Sequence, residues 1–262
     1  MQYHTAEAIV LDVLDLHDYD RIVVFLTRWK GKKRGVAQGA RRKYSRFGGQ
    51  LQPLAKVNVS WHEKEGRDLA RISSVEMMRP AEPLQSDLEG LLLSSYLRDH
   101  VMEFAQEEDP DDHLYRLLDT TVSALLAGVD QNLATRYFEA WVLRLAGVFP
   151  APWRCPECDR LLHESGAVLP ADADGLVCRE CCGDRGLAIE LEVLEFLLQI
   201  GRHDLLSLAE SMPKKSTLAA VDELCCLVRR RFLQHELRSY SVIRETLSGL
   251  KQESRINVSV EE

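Results

Sequence analysis

Hydrophobic positions change their spacing part-way along this chain. Over residues 1–80 they come in short, partly alternating runs, the period of half-buried strands. His4–Leu14 centres on Ala8-Ile-Val-Leu11, and Arg21–Thr27 is rich in β-branched residues. The polar connection Leu14-Asp-Leu-His-Asp-Tyr-Asp20 separates them, and Trp29-Lys-Gly-Lys32 reads as a hairpin turn with Gly31 supplying the permissive backbone. Lys33–Gly39 returns as a third strand. A Ser/Gly/aromatic loop follows at Tyr44–Gly49, then strands 54–61 and 69–75 around the turn His62–Gly66. Five strands in about 75 residues, without a long helix, predict a small closed barrel such as an OB-fold.

Pro80 and Pro83 end this region, and the period becomes 3.6. Leu84, Leu88, Leu91, Leu92, Tyr96, Leu97, Val101 and Phe104 form one stripe, so residues 84–106 are a helix. The acidic run Glu107–Asp112, broken by Pro110, reads as a solvated loop and N-cap. Helices follow at 114–126 and 133–147. Phe149-Pro-Ala-Pro-Trp153 breaks the pattern before a cysteine segment, 154–183. Helical periodicity resumes at 187–200, briefly at 205–209, and over 217–250 as one long helix or two. The expected architecture is α+β and multidomain. A barrel domain (1–80) precedes a helical domain (81–153 and 184–250) that a cysteine module (154–183) interrupts, with a frayed tail at 251–262.

Charge sharpens this division. The chain of 262 residues carries a net charge of −8. Residues 1–80 hold 15 Lys and Arg against 9 Asp and Glu, a balance of +6, which leaves 18 against 32, or −14, for the remainder. Within the first domain, the twenty residues Arg28–Phe47 contain nine cations, no acid and three aromatics. A solvated charged face usually mixes both signs, so this run points to a polyanion partner. No apolar stretch approaches the roughly 20 residues of a membrane helix, and the first residues lack a signal-peptide pattern. A cytoplasmic protein, close to the nucleoid, is expected.

Seven cysteines in an intracellular chain point to thiols or metal ligands. Cys225 and Cys226 fall in an apolar helical pattern and read as core; Cys182 is unexplained. Cys155-Pro-Glu-Cys158 and Cys178-Arg-Glu-Cys181 are two knuckles, each able to aim two sulfurs at one point. Together they predict one tetrahedral Zn²⁺ site. Four thiolates leave no open coordination position, so the site is structural. His163 reads as a loop residue, and a redox role would need only one pair. No phosphate-binding Gly-rich loop, nucleophile elbow or zinc-protease motif is present. Nothing therefore argues for an enzyme.

Several pieces in this order resemble the RecO family of bacterial recombination mediators. They are Ala8-Ile-Val-Leu11, Asp20-Arg-Ile-Val-Val-Phe-Leu-Thr27, Gly35-Val-Ala-Gln-Gly-Ala-Arg-Arg42, Ser45-Arg-Phe47, Leu51-Gln-Pro-Leu54, the four-cysteine module, and Arg238-Ser-Tyr-Ser-Val-Ile-Arg244. The acidic stretch Val168–Asp174 departs from the family pattern and argues against nucleic-acid contact by the module. The resemblance implies binding of single- and double-stranded DNA and annealing of complementary strands. It also implies partnership with RecR and single-strand-binding protein in loading RecA.

On this reading Arg34, Arg41, Arg42, Lys43 and Arg46 contact phosphates, followed by Lys30, Lys32 and Lys33. Trp29, Tyr44 and Phe47 are either stacking surfaces or barrel core. Lys64 and Arg67 extend the track. Arg229-Arg-Arg231 beside Phe232 is either a receiver for the acidic tail of single-strand-binding protein or a solvated helix face. An RNA- or ribosome-binding barrel with a zinc ribbon is the alternative function, and a metal-dependent nuclease a third.

Overall fold

The computed structural model describes residues 2–64, 66, 68–183 and 185–246. Five strands form a closed barrel in the order β1-β2-β3-β5-β4: β1 (Gln2–Leu16), β2 (Asp20–Thr27), β3 (Gly31–Ala37), β4 (Lys56–Glu63) and β5 (Ala70–Arg79). The 15-residue β1 serves two neighbours, β4 over Gln2–Ile9 and β2 over Ala8–Leu16. A register shift between Val10 and Asp12 lets it turn from one to the other. The inward positions Ala8, Val10, Val23, Phe25, Val57, Val59, Trp61, Ile72 and Val75 fill the interior. Trp61 and Phe25 meet edge-on at 5.5 Å.

The barrel closes through a short parallel seam, Gly35 opposite Ala70 and Val36 opposite Arg71. A Cβ on Gly35 would stand 2.8 Å from Ile72 Cγ1, so a side chain there would hold the seam open. The expected five-stranded barrel followed by helices is the architecture observed.

A 3₁₀ turn at Glu82–Gln85 leads into α1 (Leu88–Phe104), where Asp87 caps the first turn by accepting from the Gly90 amide at 2.8 Å. Next come α2 (Asp112–Leu126) and α3 (Gln131–Leu145), the latter capped by Asp130. The cysteine segment contains α4 (Leu162–Ser165), β6 (Ala167–Pro170), β7 (Val177–Cys178) and α5 (Arg179–Cys182); β8 (Gly186–Ile189) follows it, and the strands lie in the order β7-β6-β8. Then follow α6 (Leu191–Ile200), α7 (Leu205–Ala209) and α8 (Lys215–Leu233). The chain divides into two compact units. One runs to Asp119 and takes in the segment from Glu236; the other is Thr120–His235.

Two expectations need correction. Leu187–Ile189 belong to β8 and not to a helix, because their backbone pairs with Ala167–Leu169. The helical pattern from Thr217 is broken at Gln234, which adopts a left-handed conformation (φ 61°), and helix resumes at 238. Residues 247–250, expected to end that helix, and the tail 251–262 lie outside the described residues, as does Arg67.

Within the second unit, α3 and α8 pack around a buried charge cluster. Arg229 and Glu139, both fully buried, approach to 3.6 Å, and Arg136 bridges Glu139 to Asp222. Cys225 is buried nearby and burial pushes its thiol well up, while Cys226 is also core. Both cysteines are packing residues, as their helical pattern predicted.

Candidate nucleic-acid interface and metal centre

The basic run divides into three environments. At the β2–β3 turn, Arg28 forms an ion pair with Asp112 and lies 4.6 Å from the Trp29 ring centroid. Lys30 and Trp29 are exposed. The hydrogen bond to Arg28 holds the Asp112 carboxyl below its ordinary range.

Along β3 the cations are engaged. Lys32 is 8% exposed and its ammonium donates to the Met102 carbonyl at 2.7 Å. That burial lowers its pKa, although Lys32 still borders the cleft described below. Lys33 sits between Glu63 and Glu108, 2.9 Å from each. Burial pulls its pKa down, but these two carboxylates outweigh it and the net shift is upward. Arg34 pairs with Glu107. Lys33, Arg34, Lys64, Glu63, Glu107 and Glu108 line a polar cleft of about 520 Å³. The acidic run is therefore not simply a solvated loop: its carboxylates reach the β2–β3 hairpin.

The β3–β4 connection differs. A ladder of turn hydrogen bonds (Arg42 N to Gly39 O, Ser45 N to Arg42 O, Gly48 N to Ser45 O) gives it a fixed path. The Gly39 amide donates to Asp20 Oδ1 at 2.8 Å, and the Arg41 amide to the Tyr19 carbonyl at 3.0 Å. Phe47 is 2% exposed and packs in the barrel core. Its ring anchors the loop and is not a stacking surface, which settles that alternative for this residue. From this anchored loop Arg41, Arg42, Lys43, Tyr44 and Arg46 project to solvent. Arg41 leans on the His17 carbonyl and Asp15. Among the described residues, Arg42, Lys43 and Arg46 have no carboxylate partner. Tyr44 is 90% exposed.

Tyr19, on the neighbouring β1–β2 turn, is 56% exposed, with the Arg42 guanidinium 5.4 Å from its ring centroid. Sequence reading missed Tyr19. The one available signal was an aromatic in the acidic connection Asp15–Asp20.

The four cysteines predicted as ligands converge, with all their sulfurs within 4.8 Å of one another. Cys158 and Cys178 sulfurs stand 3.7 Å apart, close to the ~3.8 Å edge of a tetrahedron with metal–sulfur bonds of about 2.3 Å. A backbone bridge between Arg154 and Leu161 closes the first knuckle, and Cys178 opens the short α5 in the second. The Cys178 amide donates to Cys155 Sγ at 3.4 Å. Burial raises the Cys155 pKa, but this amide and those of Glu157 and Cys158 overcome it, bringing the thiol down to about 7. Cys158 shifts upward instead, and hydrogen bonding with the neighbouring thiols pushes Cys181 up to about 12; it is the convergence of the four sulfurs that fits a metal ion held by thiolates. Around it Arg160 pairs with Glu180 and Arg154 with Asp159.

Arg229 is buried against Glu139, and Arg231 donates to the carbonyls of Pro170 and Ala173. Arg229 thus belongs neither to a solvated face nor to a tail-binding patch, because the helix turns it into the packed interior.

Comparison with known proteins follows the same division of the chain. The family model described as recombination protein O N terminal matches residues 1–81, and that described as recombination protein O C terminal matches residues 85–241. The chain belongs to the RecO family. Its RecO relatives include a DNA repair protein RecO from Anaeromyxobacter sp. (strain K), 33% identical over 66% of this chain and 68% of that protein. Another, from Geobacter metallireducens, is 31% identical over 75% and 80%. A third, from Desulforamulus reducens, is 27% identical but extends over 84% and 87%. The RecO resemblance read from the short motifs is correct.

Proposed function

We propose that this chain is a DNA-binding recombination mediator of DNA repair. It binds single- and double-stranded DNA, anneals complementary strands and, with RecR, helps load RecA onto strands covered by single-strand-binding protein. The observation that carries this reading is the solvent-facing group Arg41, Arg42, Lys43, Tyr44 and Arg46 beside Tyr19. Cations there neutralise phosphates and release counterions, while exposed rings accept any base. Annealing then needs only two polyanionic strands held close with their base edges free, and no covalent step. The relatives' names add a DNA-repair setting.

Cys155, Cys158, Cys178 and Cys181 would hold one Zn²⁺ as four thiolates. With no open position, it would brace the small β6–β8 sheet and take no part in reaction.

Strand annealing tests the reading directly. Replacing Arg41, Arg42 and Lys43 together by alanine is expected to slow annealing and weaken DNA binding in proportion. Unchanged annealing by a folded variant would overturn it. Adding single-strand-binding protein to the same assay separates mediator activity from simple annealing. RNA competition separates it from an RNA-binding role.

A further inference from the structure

Residues 105–111 join α1 to α2 and cross an open edge of the barrel. β5 meets β3 only at Gly35 and Val36, so on that side Gly31–Arg34 have no strand partner among the described residues. The connection fills the gap as a strap. The Glu108 amide donates to the Lys32 carbonyl at 3.2 Å. Gly31, with φ of 66°, permits this approach, since a Cβ there would fall 2.5 Å from the Asp109 carbonyl oxygen. Side chains follow the backbone: Glu107 pairs with Arg34, Glu108 with Lys33, and Asp112, just beyond the strap, with Arg28.

Three carboxylates spread over six residues thus meet three cations spread over seven. We propose that the β2–β3 hairpin carries a second polyanion track, and that Glu107, Glu108 and Asp112 occupy it as internal substitutes for phosphates of a single strand. This rests on the DNA-binding reading above and adds a site to it. The hairpin and the Arg41–Arg46 loop lie at opposite ends of β2 and β3, roughly 20–25 Å apart for strands of this length. A strand long enough to span them engages the loop first and then competes for the hairpin.

The pairs are suited to exchange. Arg34 and Glu107 are both about half exposed, so solvent screens that pair and it holds weakly; in the other two pairs one member is exposed (Glu108, Arg28) and the other more covered (Lys33, Asp112). The strap itself is fixed by backbone contacts, so its carboxylates can swing away without unfolding it. Lys33 has Glu63 as a second carboxylate partner, which would leave Arg34 and Arg28 as the cations most fully released.

The test is a charge cycle read by the salt dependence of oligothymidylate binding, about 30 nucleotides long. Glu107→Gln/Glu108→Gln is expected to bind several-fold tighter at ~50 mM salt. Its slope of log affinity against log salt should steepen by about 1, at ~0.7 per phosphate gained on a single strand. In the Lys33→Gln/Arg34→Gln background, the same two substitutions should give no gain. An equal gain in both backgrounds means only a change in net charge and overturns the proposal; so does no gain in the first. Glu107→Gln with and without Arg34→Gln repeats the cycle with smaller perturbations, and thermal melts confirm folding. The Arg41/Arg42/Lys43 alanine variant keeps the two ideas apart. If it binds like wild type, the DNA-binding reading fails, whereas loss there with a flat strap cycle sinks the strap alone.

Discussion

The Arg42 guanidinium lies 5.4 Å from the centroid of the Tyr19 ring, across two loops of the barrel. An Arg over an aromatic face is a cation–π pair, and here both members also face solvent. On the proposed DNA-binding reading, the pair would offer a base the open ring face and its phosphate the charge.

Stacking by these rings has a measurable cost when lost. Tyr19→Ala and Tyr44→Ala should each weaken single-strand binding by roughly 1–3 kcal/mol, with a smaller effect on duplex, whose bases are already stacked. Fluorescence anisotropy with matched single- and double-stranded oligonucleotides checks this.

Phe47→Ala should behave differently. Its buried ring supports the barrel, so truncation should cost about 3–5 kcal/mol of stability, seen as a lower denaturant midpoint. A DNA-binding loss without a stability loss would contradict the anchoring role.

The purified chain should carry one Zn²⁺ per molecule, and Cys178→Ser should abolish it and lower the melting temperature. Metal analysis finding less than about half an equivalent in the wild type would exclude a structural four-thiolate site.

Tyr115 contributes to alkaline sensitivity. Burial pushes its hydroxyl up to about 12, with Lys56 opposing and Asp119 adding. An unfolded tyrosine ionises near pH 10. Between about pH 10 and 12 the unfolded chain has released this proton while the folded chain keeps it, so stability falls as pH rises. The contribution is complete below pH 10. Urea midpoints from pH 9 to 12 should fall less steeply in Tyr115→Phe.

Arg229 and Glu139 test the buried charge cluster. Removing one partner, as in Glu139→Leu, should cost about 3–5 kcal/mol, whereas replacing both with apolar residues of similar size should cost far less. A double-mutant cycle in urea measures the difference.

How much of this was legible in the sequence depends on the range of the contacts involved. The barrel strands, α1 to α3 and the two cysteine knuckles follow from spacing within a few residues, and each was readable. Gly31 was readable as a turn residue, but nothing local showed that it, or Gly35, must stay bare for a distant neighbour. Their reasons are Asp109 and Ile72, 78 and 37 residues away. Likewise nothing local tells that Glu107 and Glu108 meet β3, or that Phe47 turns inward while Tyr44 turns out. The β8 strand was misread because Leu187–Ile189 carry an apolar pattern that continues into α6, and pairing with β6 decided between them.

The seating of Phe47 in the barrel has a consequence for how binding would proceed. A loop tethered at both ends and pinned at its middle has lost its conformational freedom when the barrel folds, before any strand arrives. On the proposed DNA-binding reading, Arg42, Lys43 and Arg46 would then meet every strand in one arrangement, and the entropy of ordering the loop would not oppose association. Cutting the anchor would leave the charge in place but move that cost into each encounter.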